Sequence, residues 1–77
     1  MPNGLRSWTF QRVQKFLKEN GFEIHRVNGS HFQFKKTSKD GTFLVTVAFH
    51  GNKSIPVGTM NSIVRQSGID KQKWIQY

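Results

Sequence analysis

The stretch FEIHRVNGSHFQFKKTSKDGTFLVTVAF, residues 22–49, decides the fold. Its apolar residues recur at every second position: Phe22 and Ile24, then Phe32 and Phe34, then Phe43, Val45, Val47 and Phe49. A period of two marks a half-buried β-strand, with one face on a core and one in water. Asn28-Gly29 and Asp40-Gly41 are turn signals, so the stretch reads as three strands in an antiparallel meander.

Alternation also constrains the first hairpin. A two-residue Asn28-Gly29 loop would pair Arg26 with His31 and Ile24 with Gln33, mixing apolar and polar residues on each face. A three-residue loop, Val27-Asn28-Gly29, restores the order. It is expected to set Ile24 beside Phe32 and His25 directly opposite His31.

On both sides of the meander the period becomes helical. Phe10, Val13, Phe16 and Leu17 form one stripe, Thr9 is placed to cap it, and Asn20-Gly21 stops it. Trp8 and Val13 are spaced for a hydrophobic staple. After Gly51-Asn52-Lys53-Ser54 come Thr59 as N-cap, Met60, Ile63 and Val64 as stripe, and Gly68 as stop. Asp70 can cap a last short turn from which Trp74 or Ile75 packs back. The expected fold is therefore α+β, in α-β-β-β-α order, with both helices on one sheet face. Residues 1–77 suffice for a single domain, its core running from about residue 9 to 75.

Composition narrows the function. Twelve Lys and Arg face four acidic residues, a net charge of +8 spread from Arg6 to Lys73. Such a balance points to nucleic acid, an acidic protein or an anionic surface. There is no cysteine, hence no disulfide framework or thiolate metal site. Met1 to Ser7 hold no apolar secretory segment, and no run approaches a membrane span. The expectation is a cytoplasmic protein.

Strand parity sends Phe22, Ile24, Phe32, Phe34, Val45 and Val47 toward the helices, and His25, His31 and Gln33 away from them. His50 shares the second face if the third strand runs past Phe49. A meander then gathers all three histidines at one sheet end, near Lys53 and Arg26. Glu19, Glu23, Asp40 and Asp70 are too scattered to form a two-metal centre. Imidazole alone can still take a proton from a ribose 2′-hydroxyl while Lys or Arg neutralises the attacked phosphate. His31 is the candidate catalyst, with Ser30, His25 and His50 as auxiliaries, and Arg26, Lys35 and Lys53 hold the RNA. At Pro56-Val57-Gly58-Thr59 a helix N-terminus offers free N–H groups, so Gly58 and Thr59 join the RNA-binding candidates. Plain capping explains the same residues. Trp8 and Trp74 read as core, and no metal or cofactor is called for.

Asn20-Gly21-Phe22, Gly29-Ser30-His31, Val45-Thr46-Val47, His50-Gly51, Pro56-Val57-Gly58-Thr59, Ile63 and Gln66-Ser67-Gly68 stand in the order found in HicA-type toxins, also called YcfA-like. From Thr9 to Trp74 the chain resembles these small mRNA interferases of bacterial toxin–antitoxin pairs. The resemblance implies a fold like that of double-stranded-RNA-binding domains and metal-independent cleavage of mRNA by the histidine after Gly-Ser, here His31. It also implies a HicB-type antitoxin that binds the toxin and blocks its site, making a hetero-oligomer from a free monomer. Ala48 stands where the family often has proline, and Arg12 where an acidic residue often completes a capping box. Two rival classes share the fold and charge: a non-catalytic RNA-binding module and a pure protein-interaction domain.

Overall fold

A computed structural model describes residues 4–77, so Met1 to Asn3 of the amino-terminal stretch lie outside the described residues. The elements are α1 (Phe10–Glu19), β1 (Glu23–Asn28), β2 (His31–Ser38), β3 (Gly41–Ala48), α2 (Val57–Ser67) and a short α3 (Lys71–Ile75). The strands form one antiparallel sheet in the order β1-β2-β3, the expected meander. Phe34, Val45 and Val47 on its inner face meet Val13, Phe16 and Leu17 of α1 and Met60, Ile63 and Val64 of α2 in one core cluster. Both helices therefore cover the same face.

Helix ends follow local chemistry. The Thr9 hydroxyl accepts from the Arg12 amide at 3.3 Å, and Gly21 turns the chain out of α1 at φ +91°. Gly68 ends α2 in the left-handed conformation, and Asp70 Oδ1 accepts from the Gln72 amide at 2.8 Å to start α3. Helix α2 begins three residues earlier than the Thr59 cap implies. Pro56 occupies the N-cap with an extended ψ of 144°, and its carbonyl accepts from the Met60 amide at 2.9 Å. The fixed proline φ and a free carbonyl suffice to open the helix, so Thr59 sits inside its first turn.

The first hairpin departs from the expected register. Its loop is Gly29-Ser30, which pairs Asn28 with His31, Val27 with Phe32 and Arg26 with Gln33. Gly29 at φ +61° followed by a residue of negative φ matches the signs of a type II′ turn. Continued without interruption, this register would place His25 opposite Phe34, on the inner face. Instead the register shifts between Ile24 and Arg26, so Ile24 pairs with Phe34 and His25 is the bulged residue. Inner-face parity survives, but His25 does not lie opposite His31. All six β1 residues are exposed, Ile24 and Val27 included, because the helices cover β2 and β3 and not this edge.

Trp8 and Trp74 are core residues, their rings 5.3 Å apart and edge-on. The Trp74 indole N–H is buried without a hydrogen-bond partner; its ring lies 4.1 Å from that of Phe16, where aromatic faces are at most weak acceptors. Tyr77 packs on the same cluster, stacked 6.0 Å from Trp8. Its hydroxyl donates to Glu19 Oε2 at 2.8 Å, and its backbone oxygen accepts from Arg12 Nη2 at 2.9 Å. The Arg12 guanidinium lies 4.5 Å above the Trp8 ring, which accounts for an arginine in place of a capping acid. Desolvation, then the hydrogen bond to and charge of Glu19, raise the Tyr77 phenol above its ordinary value, with Arg12 opposing.

Two stability predictions arise here. A Cβ at Gly68 would sit 2.5 Å from Phe43 Cε1, whereas one at Gly51 meets nothing within 4 Å; both residues have positive φ. Gly51→Ala should cost the backbone penalty alone, about 1–2 kcal/mol. Gly68→Ala should cost that plus the collision, about 1–3 kcal/mol more, read by denaturant unfolding. For Tyr77, the unfolded chain loses its phenolic proton first as pH rises past about 10. Stability present below that pH is then lost through the raised folded value. Tyr77→Phe should show a shallower alkaline decline in urea midpoint than the parent.

Candidate functional site

His31 is the first residue of β2, exposed on the sheet face that no helix covers. The tight Gly29-Ser30 turn puts it there, with Asn28 beside it on β1 and Ala48 on β3. The Ser30 carbonyl accepts from the Phe49 amide at 2.7 Å and draws the exit of β3 against the hairpin. Strand β3 ends at Ala48, so the condition for His50 to share its parity is not met. His50 enters a turn whose carbonyl accepts from the Lys53 amide at 3.3 Å.

That turn is tied to the core. Ser54 bridges Thr9, and the Ile55 amide donates to the Trp8 carbonyl at 2.6 Å, leaving the Ile55 side chain buried. Between turn and helix lies a cleft of about 310 Å³. Val47, Ala48, Ile55 and Pro56 give it apolar walls, while His50, Lys53, Ser54 and Thr59 supply polar groups. Helix α2 has no side-chain cap, so its first-turn amides keep free N–H groups close by. Ala48, which lines the cleft, is the direct partner of His31 in the β2–β3 ladder, so the cleft lies at the His31 end of the sheet. A cationic amine, two hydroxyls and two imidazoles at one sheet end can bind a phosphodiester and move protons beside it.

Not every candidate gathers there. Ser30, His31, His50, Lys53 and Thr59 share the hairpin end of the sheet. Arg26 pairs with Gln33 on the open face, a short way up the sheet. Gly58 is exposed in the first turn of α2 but does not line the cleft. Lys35 is four residues along β2 from His31, about 13 Å at strand rise. The expected cluster of three histidines does not form: His25 lies with Lys35 in a second cleft, alongside Glu23 and Thr37. The Gly29-Ser30 turn is the cause, since it pairs His31 with Asn28, three residues along β1 from His25. Among the described residues no group of three His, Cys, Asp or Glu is placed to hold a metal ion. Sequence reasoning missed Ser54, Glu23 and Thr37; the last two share the open-face parity of Lys35, and that parity was the available signal.

A family model described as the HicA toxin of bacterial toxin-antitoxin matches residues 10–69, from the start of α1 to the residue after the Gly68 stop. No curated protein matches the chain.

The register is checked by proton NMR. The His31 ring should show cross-peaks to the Ala48 methyl and to Asn28. Cross-peaks between the His25 and His31 rings should be missing, and their presence would restore the unbulged three-residue hairpin.

Proposed function

Because the chain belongs to the HicA toxin family, toxins of bacterial toxin–antitoxin systems, we propose that it is an endoribonuclease that cuts mRNA without a metal, through His31. The observation that carries this reading is an exposed imidazole at the same sheet end as a cleft bearing Lys53 and His50, in a chain of net charge +8. His31 takes the proton from a ribose 2′-hydroxyl, and that oxygen attacks the adjacent phosphorus. A 2′,3′-cyclic phosphate forms and the 5′-oxygen of the next nucleotide leaves with a proton. Of the two auxiliary histidines, His50 lies at the right end of the sheet to return that proton. Lys53, Thr59 and the first-turn amides of α2, Gly58 among them, meet the charge that develops on the phosphoryl oxygens. Arg26 and Lys35 contact the strand farther along the open face.

The route needs no divalent ion, and the carboxylates favour that reading: Glu19 ends α1, Glu23 opens β1, Asp40 lies in a turn and Asp70 caps α3. The partner is an antitoxin, which we assign to the HicB type; it binds the exposed end around His31 and converts a free monomer into a hetero-oligomer. No helix among the described residues is long and apolar enough to cross a membrane, and the proposed substrate places the toxin in the cytoplasm.

RNA cleavage in EDTA by parent and His31→Ala proteins tests the reading. The parent should cut and the variant should lose about 100-fold or more in rate. A deoxyribose at the cleaved nucleotide should block the cut. Contacts to about four phosphates of single-stranded RNA should give a log–log salt slope near −3 for binding. RNA binding with no cut products from the parent would leave a non-catalytic RNA-binding module in its place, and a flat salt response would remove RNA altogether.

A further inference from the structure

The second cleft lies at the β1 border of the sheet, beside the Gly21 turn and away from His31, and holds about 330 Å³. Four of its residues carry chemistry: Glu23, His25, Lys35 and Thr37. Glu23 and Lys35 are direct partners across the β1–β2 ladder. Side chains of such partners start about 4.5–5.5 Å apart on one face. The Glu23 carboxylate and the Lys35 ammonium therefore rise from adjacent positions on one face. Beside them, the bulged His25 lines the same cleft, whereas an unbroken ladder would have paired it with Phe34 on the inner face. Thr37 closes the far side with a hydroxyl that can donate or accept.

This donor and acceptor set is wrong for a bare phosphate, because the Glu23 carboxylate would repel it. It is right for an uncharged ring that carries neighbouring donors and acceptors on one edge. Guanine presents two adjacent N–H donors, N1 and the 2-amino group, which match the two oxygens of one carboxylate. Its O6 acceptor lies on the other side of N1, where an ammonium fits, and its N7 accepts from an imidazole N–H. We propose that Glu23, His25, Lys35 and Thr37 form a base-reading subsite for guanine, on a nucleotide of the bound RNA other than the one whose 2′-hydroxyl reacts. The proposal rests on the RNA-binding half of the ribonuclease reading. At about 13 Å from His31 along β2, Lys35 is too far to hold the phosphate under attack. The site sets which sequences are bound, and His31 cuts at a fixed distance from it.

Binding with the chemistry silenced tests this. Fully 2′-O-methylated oligonucleotides of about ten nucleotides lack the nucleophile and suit the site sizes of single-strand binders. Each is all uridine except for one guanine, one hypoxanthine (which lacks the 2-amino group) or one adenine. Fluorescence anisotropy is read for the intact protein and for Glu23→Gln, with far-ultraviolet circular dichroism confirming that the variant folds. The intact protein should bind the guanine oligonucleotide about five-fold or more tighter than the all-uridine one. Hypoxanthine should lose most of that preference, and Glu23→Gln should lose it while keeping its affinity for all-uridine RNA. Equal binding of the guanine, hypoxanthine, adenine and all-uridine oligonucleotides by the intact protein would overturn the proposal. A guanine preference that survives in Glu23→Gln would overturn it too, leaving Glu23 as a cross-strand partner of Lys35 and no more. Failure of the ribonuclease reading shows separately, as no cleavage of the matching 2′-hydroxyl RNA.

Discussion

A sheet can be buried on one face only if every strand keeps its apolar residues on that face, and the His25 bulge lets β1 obey. The Gly29-Ser30 turn alone would put Val27 inward with Phe32 but Ile24 outward with Lys35, and His25 against Phe34. One inserted residue reverses the last two. The inner face then stays apolar across β1, although Ile24 and Val27 remain exposed at this edge, and His25 joins the cleft of Glu23, Lys35 and Thr37. Core order and open-face chemistry come from the same local irregularity.

Much of this was readable in the chain. Alternation in residues 22–49 gave the meander and its inner face, and helix ends at Thr9, Asn20-Gly21, Gly68 and Asp70 were readable because capping depends on the nearest few residues. What could not be read depended on choices that leave the same pattern. A three-residue loop without a bulge and a two-residue loop with one give the same parity through His25, so the partners of His25 and His31 were out of reach. The start of α2 was masked in a similar way, since Thr59 is a good cap residue but Pro56 stands earlier with a suitable backbone. His31 was placed on the open face by parity alone. His50 was not, because the end of β3 is set by the Ser30–Phe49 hydrogen bond and the turn after it. Tyr77 carried no local signal; its place is fixed by Trp8, Phe16, Arg12 and Glu19, all distant in sequence.

The hairpin end of the sheet is exposed yet firmly held. Thr9 serves two elements, its hydroxyl capping α1 and its backbone bridging Ser54. Ile55 then anchors the turn to Trp8, which in turn packs on Trp74 and carries Arg12 above its ring. The segment bearing His50 and Lys53 is thereby fixed at its far end to the most deeply buried aromatics. A small domain buries limited area, and here part of that area positions the polar groups at its rim.

The two borders of the sheet are not equivalent. The side-chain oxygen of Gln66 reaches from α2 to the outward amide of Thr46 at 3.0 Å, occupying a donor in the middle of β3's free border. Strand β1 has no such stopper, though its bulge breaks the rhythm a newcomer would have to match. Endless stacking of copies requires two mutually receptive borders on each molecule. With one donor of the β3 border taken by its own glutamine, the chain meets a newcomer there with a row already interrupted at Thr46.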